Sequence, residues 1–111
     1  MCAERAVAFA MCRSKLAEVL EKTLKAELIR LGWPLEKTHD LRKLGGYLQE
    51  RGSDLLPEIR PLCDALAEVY FSDRYVGFDT EEPDWPALRA QLAAVSALAE
   101  KIRARIAPIA P

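Results

Sequence analysis

One histidine occurs in the chain, His39, inside the stretch Leu-Glu-Lys-Thr-His-Asp-Leu from Leu35 to Leu41. Three chemistries are open to it. As a general base it would need a reacting group within hydrogen-bond reach and a partner that fixes its tautomer, and the chain supplies no second histidine. As a metal ligand it would need companions at ligand spacing, whereas Asp40 is adjacent and points elsewhere on a helix. As a structural residue at the positive end of a helix, its imidazole can hydrogen-bond across to a neighbouring helix or loop.

Arg74 and Tyr75 form a second candidate group. A guanidinium fork beside an aromatic ring can hold a phosphate and stack on a base. The same pair can instead cap helix C-terminal carbonyls, with the ring half buried. Asp73, Asp79, Glu81 and Glu82 lie in the same stretch and would oppose an anion. Lys22, Lys25, Arg30, Lys37, Arg42 and Lys43 cluster around the first loop, either as a basic patch or as an ion-paired, solvated face. Trp33, beside Pro34, reads as a plug over the end of the fold. Lys101, Arg103 and Arg105 give the last helix a basic end that complements its dipole. Cys2, Cys12 and Cys63 are odd in number and at no metal spacing, so they read as reduced packing residues of a cytoplasmic protein. No metal and no cofactor is called for.

These residues must be positioned by helices. The chain has 111 residues, enough for one domain and one modest core. Half of its residues are hydrophobic but only 7% are aromatic, so the core is built from Leu, Ala, Val and Ile. That balance favours helices over a sheet. The net charge is −1, which excludes a large overall field steering the protein onto nucleic acid. No apolar run is long enough to span a bilayer, and no signal peptide is visible.

The first helix is expected from about Ala3 to Leu31, with apolar residues at Cys12, Leu16, Val19, Leu20, Leu24, Leu28 and Leu31. Glu18 with Lys22 and Glu21 with Lys25 are i,i+4 pairs in the favourable orientation. Gly32 stops this helix and Pro34 keeps Trp33 out of it. A second helix is expected from an N-cap at Thr38, with Leu41, Leu44 and Leu48 buried, Gly45 and Gly46 weakening it, and Gly52 ending it. Ser53 to Pro61 reads as a loop with a short helical turn. A third helix then starts at Pro61 and runs to about Asp73, with Leu62, Leu66, Val69 and Tyr70 as its apolar stripe. The fourth has Asp84 as N-cap and runs to about Ala107. Its stripe is Leu88, Leu92, Val95, Ala99, Ile102 and Ile106, a sustained 3.5-residue period. Short loops predict antiparallel neighbours, hence an all-α, up-and-down four-helix bundle with an additional short helical turn. The heptad stripe packs either inside one chain or across a dimer; spacing alone does not choose.

Three stretches, taken together, resemble the HEPN family (higher eukaryotes and prokaryotes nucleotide-binding domain). They are Leu-Glu-Lys-Thr-Leu-Lys-Ala-Glu-Leu-Ile-Arg-Leu-Gly-Trp from Leu20 to Trp33, Lys-Thr-His-Asp-Leu from Lys37 to Leu41, and Ser-Asp-Arg-Tyr-Val-Gly-Phe-Asp from Ser72 to Asp79. The match covers about Met11 to Arg105. The resemblance implies a helical bundle, often dimeric, commonly paired with a minimal nucleotidyltransferase. Some members are ribonuclease toxins; others are nucleotide- or substrate-binding partners.

The chain departs from the family in two places. Members usually carry a full helix ahead of the Glu-Lys-x-x-Lys-Ala helix, where here only Met1 to Ala10 precede the region of good match. The ribonuclease branch uses an arginine followed four to six residues later by a histidine. Arg74 is followed by no histidine, and His39 lies too far beyond Arg30. The expectation is therefore a non-catalytic, single-domain (residues 1–111), homodimeric binding partner. Its ligand would be a nucleotide or RNA end, and Arg74, Tyr75, His39 and Lys37 would line the site. The alternatives are a ribonuclease toxin with a degenerate site and a plain dimerisation bundle.

Overall fold

A computed structural model describes residues 3–33, 37–67 and 84–106. Among these the chain forms four helices and no strand: α1 (Ala3–Arg30), α2 (Leu41–Glu50), α3 (Leu56–Leu66) and α4 (Trp85–Ile106). The all-helical bundle expected from composition is what forms. Leu16, Leu20, Leu24 and Leu28 on α1, Leu41, Leu44 and Leu48 on α2, Ile59, Leu62 and Leu66 on α3, and Leu88, Val95, Leu98 and Ile102 on α4 build one shared core.

Glycine ends α1 and α2 in the same way. Gly32 and Gly52 adopt φ of +86° and +71°. The next amide then donates back, from Trp33 to the Leu28 carbonyl at 2.9 Å and from Ser53 to the Leu48 carbonyl at 3.0 Å. Both are Schellman closures, which need a left-handed residue that glycine adopts without strain. The first closure swings Trp33 into the core, 6% exposed, with its ring 5.9 Å from that of Tyr47.

Two helix starts differ from the sequence expectation. The cap of α2 is Asp40, whose Oδ1 accepts from the amides of Arg42 and Lys43; Thr38 stands back and accepts from the Asp40 amide. A carboxylate satisfies two helix-end donors at once, so the cap moves to it. Helix α3 begins at Leu56, not at Pro61, and Pro57 takes the first-turn position. The buried stripe of α3 already includes Ile59, two residues before Pro61, and that burial favours the earlier start. Pro61 is accommodated inside the helix on its exposed side. Val69 and Tyr70, expected on the same stripe, lie outside the described residues.

Connectivity has one feature that spacing does not reveal. His39, just before α2, lies against Glu21 in the middle of α1, while Tyr47 lies against Trp33, beyond its end. Helix α2 therefore advances in the same sense as α1. Helix α3 returns antiparallel to both: Arg42 meets Asp64 at 3.6 Å, and Arg13 donates to the Ala65 carbonyl at 3.3 Å. Gly45 is buried in α2 where it faces α3; a β-carbon there would lie 3.4 Å from the Cys63 sulfur, close to ordinary contact. Helix α4 runs with α1. Trp85 stacks edge-on with Phe9 at 5.2 Å at one end, and Arg105 reaches Glu27 at 2.7 Å at the other.

Candidate functional site at the α1–α2 junction

The two motif stretches at Leu20–Trp33 and Lys37–Leu41 meet in space. Glu21 occupies a position on α1 that otherwise carries core residues: Ala17, Leu20, Leu24 and Leu28 surround it on the same face. Its side chain is 6% exposed, and Lys25, one turn on, donates to it at 3.0 Å. From the other side His39 brings Nδ1 to 3.0 Å from both carboxylate oxygens. A carboxylate only accepts, so in this contact Nδ1 carries the proton and the lone pair of the neutral ring is on Nε2. The imidazole itself is 74% exposed. A buried carboxylate thus sets the tautomer and orientation of a ring that faces solvent.

This corresponds to the structural reading of His39 in one respect, the hydrogen bond across to a neighbouring helix. It also supplies the orienting partner that general-base chemistry requires, a carboxylate and not a second histidine. The signal for Glu21 was legible: a glutamate in the buried arc of an amphipathic helix needs a partner.

Lys37 is exposed two residues before His39. Of the other cations expected near this loop, most are engaged. Lys22 pairs with Glu18, Lys25 with Glu21, Arg30 with Glu27 and Arg42 with Asp64, while Lys43 lies 5.9 Å above the Tyr47 ring. Lys22 and Lys15 together hold the Glu18 carboxyl below its usual range. The face is an ion-paired one more than a bare basic patch. The amides at the start of α2 are also taken, because Asp40 accepts from two of them. Arg74 and Tyr75 lie outside the described residues.

A second buried carboxylate was missed. Glu27 is fully buried and accepts from Arg30 and from Arg105. Arg105 also clamps Asp54 through both terminal nitrogens, at 2.9 and 2.7 Å. That contact holds the Asp54 carboxyl below its ordinary value. Arg105, expected to complement the helix dipole, instead ties α4 to α1 and to the turn before α3, and Lys101 similarly reaches Glu58. Burial pushes the Cys63 thiol up to about 11, with the Asp64 charge acting in the same direction, so it is an inert packing group at neutral pH. Cys12 is exposed, against the packing role expected of it. No three His, Cys, Asp or Glu residues among those described are grouped to hold a metal, and no described helix is long and apolar enough to cross a membrane.

Residues 3–105 match the family described as the HEPN domain. No curated protein and no solved structure matches the chain significantly.

Proposed function

We propose, given that this chain belongs to the HEPN-domain family, that it binds nucleotide or RNA at the α1–α2 junction without cutting it. Membership brings a nucleotide- or RNA-related role at the level of the family. The finer reading rests on one observation, the Glu21–His39 contact, which joins two stretches of family resemblance through a buried carboxylate. An imidazole held in one tautomer offers a fixed hydrogen-bonding edge to a base or a sugar hydroxyl. Lys37 stands beside it as a flexible cation for phosphate.

Arg74 and Tyr75 are assigned to the same site. Helix α3 runs antiparallel to α2, so its C-terminal end returns toward the start of α2, and the chain continues from there to Arg74. A guanidinium and a ring would add a phosphate fork and a stacking surface. Cleavage of RNA by the family mechanism needs an arginine and histidine at fixed spacing, and Arg74 has no such histidine after it. The partner implied by the resemblance is a minimal nucleotidyltransferase.

The test is a titration of fluorescent nucleotide and of short labelled RNA into the protein. Binding that weakens about tenfold in His39→Ala and roughly ten- to a hundredfold in Arg74→Ala supports the reading, since a charge-assisted contact contributes about 1.5–3 kcal/mol. Equal affinity in wild type and in both variants overturns the site. RNA cleavage that disappears in His39→Ala overturns the non-catalytic assignment.

A further inference from the structure

Nδ1 of His39 donates to a carboxylate that is 6% exposed, which fixes the hydrogen of the neutral ring on that nitrogen. Nε2, the other ring nitrogen, then presents a lone pair and no hydrogen. Donation from Nδ1 to a carboxylate also pushes electron density across the ring, which makes Nε2 the better acceptor. The ring is 74% exposed, so a ligand reaches that edge by displacing water. A group that binds there must bring its own hydrogen.

That demand divides the parts of a nucleotide. A phosphodiester has only acceptor oxygens and meets a lone pair with repulsion. A base offers amino and imino hydrogens, but a base is ordinarily held by stacking as well as by its edge. The described rings near this junction are engaged elsewhere: Trp33 is buried against Tyr47, and Lys43 lies over the Tyr47 ring. A ribose hydroxyl brings a hydrogen and needs no stacking surface. Lys37 supports the same choice. Exposure alternates from Lys37 through half-buried Thr38 to His39, and no helix or turn interrupts this stretch before the extended Asp40. Alternation puts Lys37 and His39 on one side of the chain, roughly 6.6 Å apart along it. A cation beside an acceptor suits a phosphate beside the hydroxyl of its own sugar.

We infer that His39 selects the sugar of the ligand: its Nε2 accepts a hydrogen bond from a ribose 2′-hydroxyl. Glu21 is the positioning residue that holds the ring in the accepting tautomer. The inference rests on the nucleotide or RNA site proposed above and gives it a direction. A hydroxyl both donates and accepts, and only its donor half is read here. The site therefore distinguishes ribose from any sugar that lacks that hydrogen, including one of the same shape.

Two measurements on the untagged full chain test it. His39 is the single histidine, so isotope-labelled protein gives one pair of ring-nitrogen signals by NMR. With the ring neutral, Nδ1 is the protonated nitrogen in wild type. In Glu21→Gln, whose amide can also donate to Nδ1, the hydrogen is shared between the two nitrogens. Binding is then titrated with labelled single strands of one uracil-containing sequence whose sugars are ribose, 2′-deoxyribose or 2′-fluoro-2′-deoxyribose. The fluorinated sugar keeps the ring shape of ribose but has no hydrogen to donate. Wild type binds the ribose strand roughly three- to tenfold more tightly than either of the others, the range of one net hydrogen bond. His39→Ala and Glu21→Gln bring that ratio toward one and leave the affinity for the deoxyribose strand near wild type. Should Glu21→Gln misfold by circular dichroism, His39→Ala, which removes an exposed ring, carries the comparison. Equal affinity of wild type for the ribose and deoxyribose strands overturns the inference and leaves the nucleotide site standing. A fluorinated strand that binds as tightly as the ribose strand overturns it too, because sugar shape and not a donated hydrogen is then read. A wild-type ring protonated on Nε2 and bare on Nδ1 overturns the accepting tautomer. Absence of binding by every strand overturns the proposed site itself, and this inference with it.

Discussion

Glu21 and Glu27 lie on the same helix, both buried and both paired, yet they do different things. Glu27 is held by guanidinium groups on its own helix and on α4, and Arg105 reaches on to Asp54. Both arginine side chains are themselves less than a third exposed. Glu21 is held by Lys25 on its own helix and by an imidazole from the loop, most of which faces water. The contrast separates architecture from orientation. A buried carboxylate whose partners are fixed charges anchored on several helices locks those helices together. One whose partner is an exposed ring fixes how that ring is presented.

The largest effect expected from this contrast is on stability. Glu27→Ala leaves Arg30 and Arg105 partly shielded without their carboxylate, and should cost about 3 kcal/mol, the low end for breaking a buried ion pair. Glu21→Ala should cost about 1–2 kcal/mol, because the His39 ring is already hydrated and the Lys25 ammonium can reach water. Urea unfolding of both variants checks the ranking. A reversed order would mean that the α1–α2 junction, and not the Arg105 clamp, is the main polar tie in the bundle.

A smaller effect comes from the outer edge of the clamp. The folded-state value of Asp54 lies below its ordinary 3.8, chiefly through the hydrogen bonds from Arg105. A depressed carboxylate contributes stability that is fully present above its unfolded value and is lost as pH falls through the folded value. Asp54→Asn should therefore destabilise the protein at pH 7 and lose that effect as pH drops below about 3.8. Denaturant midpoints at neutral and at acid pH check it. A penalty that persists undiminished in acid would show that Asp54 acts by packing and not by charge.

Much of this fold was legible in the sequence, for identifiable reasons. Gly32 and Gly52 sit where only a left-handed residue closes a helix, so they announced two helix ends. Asp84 announced the start of α4, and its carboxylate accepts from the Ala87 amide at 3.0 Å. Local competition was harder to read. Thr38 and Asp40 are both good caps, and Pro57 and Pro61 are both good first-turn residues; tertiary burial of Ile59 decides the second case. The site was half legible. His39 stood out as the one imidazole, and its helix-crossing hydrogen bond was among the readings open to it. Spacing pairs Glu21 with Lys25 at i,i+4 and gives no link to His39, eighteen residues on. The pattern that marks Glu21 and Glu27 as buried is the same 3.6-residue arc that marks the leucines, but charged residues are discounted when an apolar face is traced. Arg105 could not be paired with Asp54 from sequence, since nothing local links positions so far apart.

The smallest effect is the most discriminating, and it concerns the Glu21–His39 contact itself. If His39 is oriented by Glu21 more than the fold is supported by His39, the pair should couple weakly in stability. The ring is 74% exposed, so its hydrogen bond to the carboxylate competes with water and pays side-chain entropy; such exposed contacts contribute about 0.2–1 kcal/mol. A double-mutant cycle on Glu21→Gln and His39→Ala should return a coupling in that range. The parallel cycle on Glu27→Gln and Arg105→Ala should exceed it, because Glu27 is fully buried and Arg105 is tied to two carboxylates. Ligand titration in the same variants adds the reading that a structural contact would not move. Glu21→Gln keeps the size and burial of the side chain but removes the charge that selects the Nδ1–H tautomer. It should therefore weaken binding nearly as much as His39→Ala does while leaving most of the stability intact. Equal coupling in the two cycles, with binding unchanged in Glu21→Gln, would make Glu21 a second architectural carboxylate and dissolve the distinction between the two.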